Sequence, residues 1–463
     1  MGKMIGGAFE DGRADLSLVA QQSCAQVCNS PGDYAGIPTM VNASDLAGAS
    51  GLSDASSATI EALSARIRCR QLSPVDVLQG CLDRIDALNP HLNAFITVLA
   101  DQALAEAKTA QEEIRAGHWR GPLHGIPIGI KDMFDTAGIK TTAAYEKFKT
   151  RVPAIDAAAV SRLKSAGAVV IGKTNMHRLA MGTTSVDSAF GAVRNPWNPE
   201  HIAGGSSGGS AAAIAARMCY ATLDTDAIGS CRLPASCCGV SGFKGTYGLV
   251  SNSGVLAGEP VDDAILWLAH AAITARSARD AAIVLSLLAE PGSQSVQKPD
   301  YFAGLNRRFT PRIGIVTNFE SDGEVAAAFE TAVQALRRLG NTREIVAPLD
   351  NPGFDVRHIA ADRRRIAGSL FEDLDVIALP TTVTPPPTIQ AAGENATALS
   401  AHNTLFANYC GLPAISVPCG FNKSQLPLGV QIVGKPQDDQ VVLCVADQFQ
   451  GVTAWHKRCP TLG

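Results

Sequence analysis

The sequence is poor in charge and in aromatic side chains. Only 18% of its 463 residues are charged and 5% are aromatic, and the formal net charge is −4. Nucleic acid and anionic membrane surfaces attract clustered Lys and Arg, so neither is an expected partner. No run of 18 apolar residues occurs. The nearest, Ala264–Ala275, is short and contains His270, so it reads as a buried helix or wall rather than a span. The N-terminus lacks the basic-then-apolar layout of a signal peptide. It resembles a myristoylation site only at Gly2, since Gly6 stands where Ser or Thr is wanted. The expected compartment is the cytoplasm. Twelve cysteines are present, but without the paired short spacings of a zinc site. Cys24 and Cys28 have no partner pair, and Cys231, Cys237 and Cys238 have no nearby histidine. Buried free thiols are expected, and no metal.

What is present suffices for a large core, with 46% hydrophobic residues. Residues 1–57 are Gly-, Ser- and Ala-rich with weak periodicity and read as a loosely packed arm. Residues 58–463 read as one domain. From Ala58 to Ala116 the pattern is helical, with Ile60, Leu63 and Ile67 on one face and Ser73-Pro74 as a helix start. Short apolar runs of strand type follow at 125–130, 168–172, 312–316, 375–379, 414–417 and 429–433. They alternate with helical patterns at 157–165, 324–339 and 438–449. This alternation predicts an α/β protein with a large mixed, mainly parallel β-sheet covered by helices on both faces.

Three segments carry chemistry. Gly204–Ser210 (GGSSGGS) and Thr225–Ala235 (TDAIGSCRLPA) place serines in two glycine-containing turns, and Gly125–Asp132 (GIPIGIKD) ends an apolar strand on Lys131. Glycines let the two turns approach closely. A serine needs a base to become a nucleophile, and a lysine serves when burial keeps it neutral.

In order and spacing, these segments resemble the amidase signature family from about Ala58 to the C-terminus. Lys173–Ser185 (KTNMHRLAMGTTS), Phe243–Ser251 (FKGTYGLVS) and Asp375–Thr381 (DVIALPT) carry the same resemblance. It implies the amidase signature fold and a catalytic trio of Lys131, Ser206 and Ser230. Ser230 would be the nucleophile, and Ser206, following a cis peptide bond, would relay its proton to Lys131. The backbone N–H groups of Ala227, Ile228, Gly229 and Ser230 would form an oxyanion hole. Met181, Gly182, Thr183, Gly205, Ile228 and Trp267 would bind substrate. No cofactor is implied.

Neighbouring polar residues have plainer expected roles. Ser207 reads as an internal hydrogen-bonding residue, Ser210 as a helix N-cap, and His124 and His177 as packing residues. Asp226 and Arg232 would hold the nucleophile loop, and Asp132 would point away from Lys131. Among the departures from the family pattern, Ile228 stands where a glycine is usual, Arg178 where an acidic residue is common, and the segment from Asp350 to Asp375 is short. The expected activity is hydrolysis of a small-molecule carboxamide or anilide with an apolar or aryl acyl group; an ester or carbamate-like bond would suit the same machinery. Two alternatives are the glutaminase subunit of a tRNA-dependent amidotransferase and a catalytically silent scaffold. A homodimer is a family-based expectation.

Overall fold

The apolar runs between Gly and Pro signals are too short for helices and form strands of one large sheet. The computed structural model describes residues 57–290, 299–307, 309–349, 355–393 and 395–462. The expected N-terminal arm therefore lies, apart from Ser57, outside the described residues. The strands are β1 (Phe95–Val98), β2 (Pro127–Lys131), β3 (Val169–Thr174), β4 (Arg194–Asn195), β5 (Asn198–Ile202), β6 (Ala221–Asp226) and β7 (Ser241–Lys244). They continue as β8 (His270–Ala275), β9 (Arg312–Val316), β10 (Asn341–Ile345), β11 (Val376–Pro380), β12 (Ala414–Phe421) and β13 (Pro427–Gly434). Eleven form one sheet in the order β1-β3-β2-β6-β8-β7-β12-β13-β11-β9-β10, and β4 pairs with β5.

The sheet is mixed. Parallel ladders lie in two blocks, β3-β2-β6 and β11-β9-β10. Each is built by helical crossovers, which parallel neighbours require. Ala158–Ser165 (α1) links β2 to β3, Gly208–Ala215 (α2) lies between β3 and β6, and Gly323–Arg337 (α3) links β9 to β10. Between the blocks the strands run antiparallel, since connections such as the short turn from β12 to β13 reverse the chain. Strands β2, β3, β6, β8, β11 and β13 are buried at every position, so both faces are covered.

The helix starts follow local chemistry. Ser73 caps Pro74–Leu92 by accepting from the Val75 N–H at 3.1 Å, with proline at the first position where its missing N–H costs nothing. The stretch Ala264–Ala275 divides differently from its sequence reading. Asp263–Leu268 (α4) is a short helix, and His270–Ala275 becomes β8, threaded between β6 and β7. Only the β8 part is buried throughout, and length alone could not tell strand from helix.

This topology sets three strand ends side by side. Lys131, Thr174 and Asp226 are the last residues of β2, β3 and β6, adjacent parallel strands. Crevices beyond the C-terminal ends of parallel strands are where α/β sheets collect functional loops.

Packing at the middle of the sheet predicts its stability. Ile432 of β13 is fully buried between Ala378 of β11 and Ile415 of β12. Ile432→Ala should lower unfolding free energy by about 2–5 kcal/mol, read from guanidinium unfolding curves.

Candidate active site

Lys131 is fully buried, and its Nζ touches three hydroxyls: Ser206 Oγ at 2.7 Å, Ser207 Oγ at 2.8 Å and Thr225 Oγ1 at 2.9 Å. Burial pushes its pKa down to about 8, against the pull of the Asp224, Cys231 and Asp226 charges. Two of the hydroxyls have other acceptors for their own protons: Ser207 Oγ donates to the Thr225 carbonyl at 3.4 Å, and Thr225 Oγ1 to Met133 Sδ at 3.1 Å. Ser206 is thus the hydroxyl best placed to donate to a neutral Lys131. As expected, Asp132 faces elsewhere. It accepts from Thr142 N–H at 3.0 Å and lies 3.4 Å from Lys173 Nζ.

The serine loops meet through their backbones. The Gly205–Ser206 peptide is cis. The Ser206 carbonyl accepts from His177 N–H at 2.9 Å and Ser185 Oγ at 3.1 Å. Next to it, Ser207 N–H donates to the Ser230 carbonyl at 3.0 Å, fastening one turn to the other. Ser230 is buried but for a 4% exposure. Gly205 has no room for a side chain: a Cβ there would stand 2.6 Å from Thr184 N. The helix N-cap is Ser207 by position, without a side-chain cap bond, and not Ser210. Ser210 lies inside α2, where its hydroxyl meets Thr174 Oγ1 at 2.7 Å.

The loop that carries Ser230 hangs on a buried ion pair. Arg232 and Asp226 are both fully buried, 2.9 Å apart. Asp226 Oδ1 also accepts from Gly229 N–H and Asn408 Nδ2, each at 2.9 Å, and Oδ2 from Cys231 N–H at 3.2 Å. Burial alone would raise this carboxyl. The Arg232 guanidinium and the donors around it instead hold it well below the usual carboxylate range. Arg232 further donates to Gln431, Asn408 and the Thr404 carbonyl. Thr404 Oγ1 in turn binds the Ile228 carbonyl at 2.5 Å. Gly229 has φ +129° and a Cβ would stand 2.4 Å from Thr404 Oγ1, so only glycine fits. Ile228 keeps an ordinary negative φ and is half-buried.

One expected oxyanion donor is spoken for. The Gly229 N–H points to Asp226 rather than to a substrate, which leaves Ala227, Ile228 and Ser230 of the expected set.

The residues expected around substrate divide into two groups. Thr183 is buried, its N–H bonded to the Ala396 carbonyl at 2.7 Å, and Gly182 packs under the His177 ring. Gly205 stands against the backbone of Thr183 and Thr184. Met181 is 61% exposed and Trp267 43% exposed. Trp267 stacks on Tyr247 at 6.4 Å between ring centroids. Asn408 Nδ2 reaches both the Asp226 carbonyl and, at 3.3 Å, the Leu268 carbonyl at the end of α4, tying that helix to the nucleophile loop. His124 and His177 are buried, and Arg178, an unusual residue by the family pattern, pairs with Asp187 at 2.7 Å. Asn408, Thr404 and Gln431 escaped the sequence reading, since a buried polar side chain far along the chain carries no spacing signal.

A buried lysine bonded to Ser206, with Ser230 on the adjoining turn, is the arrangement that a serine-dependent hydrolase would need. The Amidase family model matches residues 76–357 and 353–443, and the chain belongs to this family. A glutamyl-tRNA(Gln) amidotransferase subunit from Roseiflexus sp. (strain RS-1) is 36% identical over 473 aligned positions, covering 85% of this chain and 96% of its own. Among solved structures, 6-aminohexanoate cyclic dimer hydrolase superposes with a TM-score of 0.76 at 28% identity, covering 88% of this chain and 99% of its own. The peptide amidase of Stenotrophomonas maltophilia gives 0.74 at 27%, covering 85% and 96%. The chain is an enzyme of amide C–N bonds. The family match divides at residues 353–357, within the segment that reads as short. Among the described residues, no helix is long and apolar enough to cross a membrane.

Arg232→Met should strand the buried Asp226 charge and cost about 3–5 kcal/mol of stability, measured by chemical unfolding. The same variant should label poorly with a fluorophosphonate, because the loop that presents Ser230 loses its anchor.

Proposed function

We propose that this chain hydrolyses a small-molecule carboxamide or anilide with an apolar or aryl acyl group, through an acyl-enzyme on Ser230. The observation that carries the chemistry is the 2.7 Å contact between buried Lys131 and Ser206. In this reading Ser230 Oγ attacks the amide carbonyl while its proton passes to Ser206 and the Ser206 proton passes to neutral Lys131. The backbone N–H groups of Ala227, Ile228 and Ser230 receive the oxyanion, and losing one such donor typically costs about 10²–10³ in rate. As the C–N bond breaks, Ser206 protonates the leaving amine and regains a proton from Lys131. Water then cleaves the acyl-enzyme by the same relay.

The apolar preference rests on three of the side chains expected around substrate. Ile228 is half-buried on the nucleophile loop, and Met181 and Trp267 are exposed. The charges nearest Ser230, Asp226 and Arg232, are consumed by each other and by Asn408. A glutamine substrate would want charged partners for its amino and carboxylate groups.

A second reading is the glutaminase subunit of a tRNA-dependent amidotransferase, acting with partner subunits. It is favoured by the curated relatives, of which the Roseiflexus protein is 36% identical over 96% of its length. Against it, the 473-position alignment takes up only 85% of this chain, so that relative carries a substantial stretch with no counterpart here.

A panel from acetamide and glutamine to aryl-acetamides and anilides separates the two. Apolar amides should turn over and glutamine should not, with activity lost in Ser230→Ala. Glutamine turnover alone, especially if raised by candidate partner subunits, would establish the second reading instead. Because the relay needs neutral Lys131, whose pKa is about 8, kcat/KM should rise with pH through that value and level off above it.

A further inference from the structure

Strand β6 reads Leu223-Asp224-Thr225-Asp226, two carboxylates in a strand buried at all positions. The loop anchor accounts for Asp226, and Asp224 has no part in the relay as described. Yet its place is specific. Strands β2 and β6 are parallel neighbours with Gly129 opposite Thr222 and Ile130 opposite Leu223, so the next pair in register is Lys131 and Asp224. Side chains two apart on a strand share a face, which puts Lys131, Gly129, Thr222 and Asp224 on one side of the sheet. The contact geometry agrees: a Cβ on Gly129 would meet Thr222 Cγ2 at 3.0 Å and Thr174 Cγ2 at 3.1 Å.

The carboxyl is held rather than loose. Asp224 is fully buried, and its Oδ2 accepts from Thr222 Oγ1 and Thr274 Oγ1, both at 2.7 Å. The Ser210 hydroxyl also reaches the carboxyl, whose Oδ1 accepts no well-formed bond among the described residues. Such an oxygen is costly to bury unless a positive charge lies near. The charges around it are few. Lys131 approaches from β2, and the Cys219 and Cys231 thiols lie near. Lys131 itself is faced by Asp224 and Asp226 of β6 and by Cys231, with His177 beyond Ser206. Of these, Asp226 is committed to Arg232. Asp224 remains as the uncommitted negative partner.

We propose that Asp224 is the buried counter-charge of Lys131, a positioning residue that stabilises the ammonium formed when the relay delivers its proton. This rests on the Ser230-Ser206-Lys131 reading above. Above the Lys131 pKa of about 8 the lysine is neutral, and Asp224 is taken as ionised there: burial raises its carboxyl, while Lys131 and the Ser210, Thr222 and Thr274 hydroxyls pull it back down. Attack moves one proton from Ser230 through Ser206 to Lys131, and the pair becomes ammonium and carboxylate without Asp224 ever taking a proton. The carboxylate thus makes the lysine a stronger base while delaying its deprotonation to higher pH.

The test uses the rate of Ser230 labelling by a fluorophosphonate as a function of pH, which needs no identified substrate. Removing the negative charge in Asp224→Asn should move the acid limb to lower pH by about one unit and lower the high-pH plateau several-fold. Asp224→Ser also removes the charge and should move the limb the same way, so it serves if Asp224→Asn does not fold. A limb that stays in place in a folded variant, whatever happens to the plateau or to Tm, overturns the proposal. Lys131→Met is the separate control. Labelling that survives it would refute the relay itself, whereas loss of labelling there with an unmoved limb in Asp224→Asn would refute only the counter-charge.

Discussion

A lysine ammonium sealed from water is the constraint around which this site is arranged. Ionised, Lys131 needs three acceptors, and Ser206, Ser207 and Thr225 supply them at hydrogen-bond distance. Neutral, it has two N–H groups and a lone pair, so one hydroxyl must turn and donate. The outlets available to Ser207 and Thr225, a carbonyl and a thioether, leave Ser206 for that task. The same burial that makes the ammonium expensive brings its pKa near neutrality. Desolvation and hydrogen-bond wiring therefore act together: one sets how easily the proton leaves, the other sets where the next one comes from.

A second buried charge pair converts that local chemistry into a fixed geometry. Asp226 ends β6 and begins the nucleophile loop, and its two oxygens collect donors from Gly229, Cys231, Arg232 and Asn408. Through Arg232 and Asn408 the loop is joined to the helix His402–Tyr409, to Gln431 of β13 and to the end of α4. Backbone donors around a carboxylate hold a turn more tightly than side-chain packing alone, since each bond to a charged group is worth about twice a neutral one. The position of Ser230 is thus a property of several distant segments, which a buried, fully bonded network can transmit.

How much of this could be read without the fold differs by element. Strands β2, β3, β9, β11, β12 and β13 were legible because each is a short apolar run between turn signals. Strand β10 was not, since Asn341-Thr-Arg-Glu-Ile345 lies at the sheet edge and carries polar side chains. Strand β8 hid inside an apolar run that reads as a buried helix or wall. At the site, Lys131, Ser206 and Ser230 stood out because glycine turns and a strand-end lysine are local patterns. Thr225 and Asn408 did not, because their roles depend on neighbours 94 and 182 residues away in sequence. Asp224 escaped the sequence reading, because only the register of β6 with β2 gives this carboxylate a partner.

The departure at Ile228 shows how such a loop divides its constraints. Gly229 carries φ +129° and faces Thr404 with no space for a methyl group, so that position admits nothing else. Ile228, one residue earlier, has a negative φ, and its carbonyl is held by Thr404 while its side chain is half-buried. The backbone demand is met entirely by the second residue of the pair. The first is therefore free to carry a side chain, and a branched one there adds apolar surface beside the nucleophile without straining the turn. Under the proposed mechanism, turn geometry and the surface offered to substrate would fall to adjacent residues, one fixed by backbone conformation and the other open to variation in shape and polarity.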